Sequence, residues 1–173
     1  KMIVDIGANI GLFSCMANHI WPESEIKCFE PNPESYKLLN ENLQLNLINA
    51  VSNKKAVVNK ASKNKLEFYF NENPAMVSGV QGTGKSFKAE TVSFSKIADE
   101  VKLPALLKID IEGGEYDIFT KENVNYLRKF EVIVMEYHNI NATYCLDYLE
   151  TYLKKYKFGY KIFGTMIHIF PAD

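Results

Sequence analysis

Short apolar runs alternate with helically striped segments along almost the whole chain, and this alternation constrains the fold more than any single motif. Residues 2–6 (MIVDI) are an apolar run that stops at a glycine. Ile10, Phe13, Ala17 and Ile20 follow at helical spacing. A second strand is expected at 26–29. Asn32 and Pro33 then supply an N-cap and a first-turn proline to a helix striped by Tyr36, Leu39, Leu43 and Leu47. A further strand is expected at 51–58. Strands at 66–70 and 87–94 flank a long polar loop, and Ser95 is expected to cap a short helix running to 101. Beyond it come strands at 106–111 and 131–136 and helices at 116–130, interrupted near Thr120, and at 142–156. Two closing strands, 160–163 and 166–170, are joined by Gly164 and Thr165, a link short enough only for an antiparallel pair. Strands alternating with helices in this way predict an α/β fold with a mainly parallel sheet covered on both faces.

The chain has 173 residues, of which 47% are hydrophobic. That suffices for one domain with a substantial core, expected over 1–173, and is too little for two. A formal net charge of -1 argues against a nucleic-acid backbone as partner. No apolar run approaches the roughly 20 residues of a membrane span. Cys15, Cys28 and Cys145 are scattered, forming neither a CxxC pair nor a disulfide framework. With no secretory segment at the start, a reducing cytoplasm is the expected setting. The chain opens almost directly on a strand, without helices ahead of it to cover the sheet. A longer native protein and a minimal domain are both compatible with that start, and the oligomeric state is left open.

Two glycine loops compete for a nucleotide. Residues 79–86 (GVQGTGKS) fit the phosphate-cradling pattern G-x-x-x-x-G-K-[ST]. A working phosphate loop needs a buried strand before it and a helix after it, so that the helix amides and dipole face the phosphates. Here the preceding residues, NPAMVS, do not make a core strand, and the following residues, FKAETV, alternate like a strand. Asp110 could imitate a metal-binding carboxylate at a strand end, but Lys108 is an ill-suited residue for that strand. A glycine-rich hairpin loop or a lid over the substrate accounts for 79–86 better than a triphosphatase does.

The loop at 5–11 (DIGANIG) meets the requirement that the other fails, with a buried strand before it and a striped helix after it. Gly7 allows a sharp turn and close approach to a ligand, and Gly11 allows tight packing of the helix on the strand. The spacing is not the G-x-G-x-x-G of dinucleotide sites. Asp5 at the strand end would repel a diphosphate and attract a cationic or hydroxylated ligand. Glu30, before Pro31, ends the second strand, where a carboxylate binds ribose hydroxyls in folds of this layout. Together these features suggest an adenosyl ligand without phosphates, and S-adenosylmethionine fits.

Four stretches then resemble the FkbM family of S-adenosylmethionine-dependent methyltransferases: VDIGANIGLFS at 4–14, CFEPNPESYKLLNENLQLN at 28–46, LLKIDIEGGEYDIF at 106–119 and VIVMEYH at 132–138. They stand in the family's order, and the K-I-D-x-E-G-x-E core of the third is the most specific. The resemblance implies a Rossmann-like class I methyltransferase fold whose seven-stranded sheet has the order 3-2-1-4-5-7-6, with strand 7 antiparallel. It implies methyl transfer to a hydroxyl of a sugar or natural-product-like acceptor. It places Asp5, Gly7, Asn9 and Gly11 around the methionine moiety, Glu30 with Pro31 at the ribose, and the segment around Ala56 at the adenine. Asp110 and Glu112 would lie beside the reactive methyl. One departure is Ser95, which stands where family members often carry an aspartate.

A hydroxyl acceptor benefits from a general base. The candidates cluster at the carboxyl ends of the fourth and fifth strands, where open α/β sheets bind ligands: Asp110, Glu112, Glu115, Glu136 and His138. Asp110 and His138 lead, the latter because histidine titrates near neutrality. Such a cluster could also hold a divalent cation, but no fixed ligand spacing is visible and none is expected. A module that binds the cofactor without catalysis remains the alternative.

Overall fold

The structure, a computed structural model, describes residues 1–60, 65–70, 77–78, 85–141 and 143–172. From the amino end, β1 (Met2–Ile6), α1 (Leu12–Ile20), β2 (Glu25–Phe29), α2 (Pro33–Leu45) and β3 (Ala50–Asn53) follow one another. Then come β4 (Lys55–Val58), β5 (Lys65–Phe70), β6 (Val77–Ser78) and β7 (Ser86–Ser93). The second half holds α3 (Phe94–Asp99), β8 (Ala105–Ile109), α4 (Glu115–Ile118), α5 (Val124–Leu127), β9 (Val132–Glu136), α6 (Leu146–Lys155), β10 (Phe158–Phe163) and β11 (Met166–Pro171).

The main sheet has seven strands in the order β10-β11-β9-β8-β1-β2-β3. Counting only its own strands from the amino end, that order is 3-2-1-4-5-7-6. All pairings are parallel except those of β11, which runs antiparallel to β9 and to β10. β1 lies between β2 and β8 and is buried at all five positions, the charged Asp5 included.

The period of two divides the core into two layers. Met2, Val4 and Ile6 face α3 to α6, packing with Leu107, Ile109, Phe119, Phe130, Leu149 and Leu153. Ile3 faces α1 and α2, packing with Ala17, Ile26, Leu39 and Leu43. Farther along that second face, β9 and β11 present Val132 and Phe170, which are 36% and 37% exposed.

Local chemistry sets the element ends. The Asn32 side chain accepts from Glu34 N at 2.9 Å, and Pro33 opens α2 as expected. Leu47 is not part of the buried stripe: it lies past the helix end, with φ +56°, and is 92% exposed. Ser93, not Ser95, caps α3, accepting from Lys96 N at 3.4 Å, while the Ser95 hydroxyl donates to Ser93 Oγ. The segment at 116–130, expected to be helical with an interruption near Thr120, is α4, a 3-10 turn over Lys121–Asn123, and α5, with the break at Thr120.

The expected strand at 51–58 is two strands in two sheets. The chain leaves the main sheet after Asn53, and β4 enters a second, four-stranded sheet of order β4-β7-β5-β6. There β4 runs parallel to β7, and β5 pairs antiparallel with both β7 and β6. Residues 79–84 of the glycine-rich stretch lie outside the described residues. Ser86 opens a strand, so no helix follows Lys85 to receive a phosphate. Among the described residues, no helix is long and apolar enough to cross a membrane.

Candidate active site

A cleft of about 280 Å³ opens at the carboxyl ends of β1, β2 and β8. Its floor is the loop after β1. Gly7 adopts φ +76°, and a Cβ there would lie 1.7 Å from the Asp110 carbonyl oxygen, so only glycine fits. Gly7 N and Ala8 N donate to Phe29 O at 2.9 and 3.0 Å, tying the loop to the end of β2. Asn9, at φ +48°, turns its own amide toward Glu30.

Glu30 is the polar centre of that end. Oε2 accepts from Asn9 N and Oε1 from Asn32 N, both at 2.8 Å. The carboxylate is 7% exposed, and burial pushes its pKa up while the two amides oppose the rise. Each oxygen keeps a lone pair for a ligand hydroxyl. Pro31 and Ala56 line the same cleft, with Phe29, Val57, Leu66 and Phe68 forming its apolar side. The donor set fits an adenosyl group: a fixed carboxylate for hydroxyls, apolar walls for a flat ring, and a glycine cradle with no room for a side chain.

Two of the residues expected around a bound methionine do not line the cleft. Asp5 is fully buried beneath it, accepting from the Ser14 hydroxyl at 2.7 Å. Its other oxygen lies 3.3 Å from Lys108 Nζ, outside hydrogen-bond geometry. Gly11 serves the packing of helix on helix: a Cβ there would meet Leu39 Cδ1 of α2 at 2.6 Å.

The other lip is the loop after β8. Asp110, Ile111, Glu112, Gly113 and Gly114 all line the cleft. Glu112 adopts φ +51° and Gly113 φ +98°, which turns the chain sharply under Ile140. Burial pushes the Asp110 and Glu112 carboxyls above their usual range; Lys108 opposes the shift at Asp110 and His138 opposes it at Glu112.

His138 lies behind this lip. Its Nδ1 is 3.0 Å from Oε1 of Glu115, which is fully buried, and its Nε2 is 3.5 Å from Oε2 of Glu112. Glu115 Oε1 also accepts from Ile111 N at 3.1 Å. The hydrogen bond that its Nδ1 donates to Glu115 raises the imidazole pKa to about 9, against partial burial. At neutral pH the ring is therefore a cation, and its expected availability as a base near neutrality is corrected by its partner. Asp110, Glu115 and His138 each offer an atom within 4.8 Å of the others, close enough to share a divalent cation. Glu136 stands apart from this group, accepting from the Thr165 hydroxyl at 3.1 Å.

Three contributors were not expected at the site from the sequence. Lys108 sits under the cleft, and its signal was the anomaly itself, a lysine in a buried apolar strand. Leu66 and Phe68 reach the cleft from the second sheet, which no periodicity announced.

A sequence profile for the methyltransferase FkbM domain matches residues 5–162. The hexuronic acid methyltransferase AglP of Haloferax volcanii is 25% identical over 138 residues, covering 78% of this chain and 54% of that protein. The methyltransferase sdnD of Sordaria araneosa is 49% identical over 55 residues, 32% of this chain and 20% of its own. A crystal structure of methyltransferase FkbM from Methylobacillus flagellatus KT shares the fold, with a TM-score of 0.66 over 98% of this chain and 43% of that one, at 15% identity. The chain thus spans about half the length of AglP.

Proposed function

The chain belongs to the FkbM methyltransferase family, and on that footing we propose that it transfers a methyl group from S-adenosylmethionine to a hydroxyl oxygen of a sugar or similar small acceptor. The observation that carries this reading is Glu30, buried at the end of β2 and held by two amides, Asn9 N of the cleft loop and Asn32 N at the start of α2. When bound, the cofactor supplies an electrophilic methyl that needs no further activation. The protein's task is then to align the two reactants and accept a proton.

Glu30 would hold the ribose hydroxyls, with Pro31 beside them and Ala56 and Val57 against the adenine. Gly7 and Asn9 would frame the methionine moiety. Asp5 and Gly11 would support that frame from behind. The acceptor proton would go to Glu112 or Asp110, whose raised pKa values make them better bases than an ordinary carboxylate. His138, already charged, would hold Glu112 ionised and oriented between turnovers. Residues 1–173 would act as a single catalytic domain in this scheme.

An acidic sugar is the acceptor class favoured first. AglP is a hexuronic acid methyltransferase. A groove lined by Lys54, Lys55, Lys65 and Lys88 adjoins the cleft, sharing Pro31 and Lys55 with it. The test is calorimetric titration with S-adenosylhomocysteine. Micromolar binding by the intact protein is expected, with Glu30→Ala and Gly7→Val each weakening it at least about tenfold. No binding, or binding indifferent to both changes, would sink the proposal. Labelled-methyl transfer to hexuronic acids against neutral sugars then sorts the acceptors.

A further inference from the structure

We infer that Lys108 is a positioning residue for this site: its ammonium pins the Gly7 carbonyl, the Asp5 carboxylate and the Asp110 carboxylate into one arrangement under the cleft. The inference takes only the identity of the ligand from the proposed function.

Lys108 is the fourth residue of β8 (ALLKI), the one polar side chain in an otherwise apolar strand. In the parallel register it stands directly beside Asp5 of β1. The lysine side chain is 12% exposed and the aspartate 0%. Withdrawing an ammonium and a carboxylate from water costs as much as their attraction returns, and an apolar pair would fill the same places at least as well. Stability alone therefore gives no reason for a lysine here.

Its contacts give one. Nζ donates to Gly7 O at 2.6 Å and lies 3.3 Å from Asp5 Oδ1 and 3.6 Å from Asp110 Oδ2. The ammonium thus makes one hydrogen bond, to the carbonyl, and two ion pairs, to the carboxylates. These groups belong to the end of β1, the glycine loop and the end of β8. These segments meet where Gly7 touches the Asp110 backbone, at the junction of the two lips of the cleft. The Gly7 carbonyl is also fixed from below, leaving the upper face of the loop to a ligand. Remove the cation, and the fully buried Asp5 carboxylate and the Asp110 carboxylate are left at that junction without a counter-charge between them. The same charge opposes the upward shift that burial gives Glu30 and Asp110, so it acts on carboxylates of both lips of the cleft.

The experiment compares wild type with Lys108→Met, which keeps the length and removes the charge, and Lys108→Arg, which keeps the charge. In ligand-free protein, amide NMR resonances of Gly7, Ala8, Asn9 and Asp110 to Gly114 should shift and broaden in Lys108→Met. Those of the β10–β11 hairpin should stay in place. S-adenosylhomocysteine affinity should fall at least about tenfold in Lys108→Met and return to within about threefold in Lys108→Arg. Loop amides unchanged in Lys108→Met, or affinity within about twofold of wild type, would overturn the inference. If Lys108→Met does not fold, Lys108→Gln keeps one donor for Gly7 O and is judged by the same resonances. If wild type binds no S-adenosylhomocysteine, the proposed ligand fails, and the ligand-free loop resonances alone decide the role of Lys108.

Discussion

His138 carries its proton into neutral solution because of what its Nδ1 meets: Glu115, fully buried, with one oxygen shared between the imidazole and Ile111 N. The ring's pKa rises from an ordinary 6.5 to about 9. A histidine whose folded pKa exceeds its unfolded one adds stability that is fully present below the unfolded value and is lost as pH rises through the folded value. The window here runs from about 6.5 to about 9. Melting curves of wild type and His138→Gln across pH 6 to 10 should therefore converge, wild type losing its advantage inside that window. Parallel curves would show that Glu115 does not hold the proton on His138. A ring that starts charged must first give up its proton before accepting another, so under the proposed reaction Glu112 and Asp110 would be the groups ready to take one.

At the level of elements, Gly11 separates packing from ligand binding. It sits at φ +88° between the loop and α1, and a Cβ would lie 2.6 Å from Leu39 Cδ1. Gly11→Ala should cost about 2 kcal/mol, from a left-handed alanine and a crowded helix contact together. For a domain of this size that lowers the melting temperature by roughly 4 to 8 °C. Cofactor affinity of the folded variant should stay within about twofold, since α1 meets the ligand only through the loop. A calorimetric loss of affinity without a loss of stability would put Gly11 back in the ligand shell. The strands of the main sheet were legible because they are dense apolar runs separated by capped helices, Asn32 and Pro33 being the clearest mark, whereas their order came from the family resemblance alone. The break between β3 and β4 was not. Val51, Val57 and Val58 read as one strand, and Lys54, where the chain changes sheets, is neither glycine nor proline. The cap of α3 was misplaced by two residues because Ser93 and Ser95 are equal candidates until backbone geometry chooses. Glu30 was legible from its place at a strand end, whereas the burial of Asp5 depends on Ser14 and Lys108 arriving from elsewhere in the chain.

At the scale of the whole molecule, the two sheets of the described residues meet at the cleft, and the smaller sheet contributes what the larger cannot. The main sheet supplies the polar ends: Glu30, the Gly7 loop and the Asp110 lip. β5 of the second sheet brings Leu66 and Phe68 to the same cavity. Phe68 is braced from behind by Phe87 of β7, the rings stacked with centroids 5.4 Å apart and an interplanar angle of 14°. Neither ring belongs to the two buried core clusters. Removing Phe68 should accordingly change binding more than folding. In Phe68→Ala the lost ring stacking is worth about 1 kcal/mol, and the melting temperature should fall by no more than about 4 °C. The apolar wall of the cleft disappears in the same variant, and S-adenosylhomocysteine affinity should weaken about tenfold, because a flat ring would then face water on that side. Ile109→Ala, in the core beneath the main sheet, should show the opposite balance: a loss of roughly 3 kcal/mol in stability with little change in affinity once folded. Calorimetry and melting on both variants test the division. Should Phe68→Ala bind as wild type does, the second sheet would be a lateral extension of the fold rather than a wall of its site.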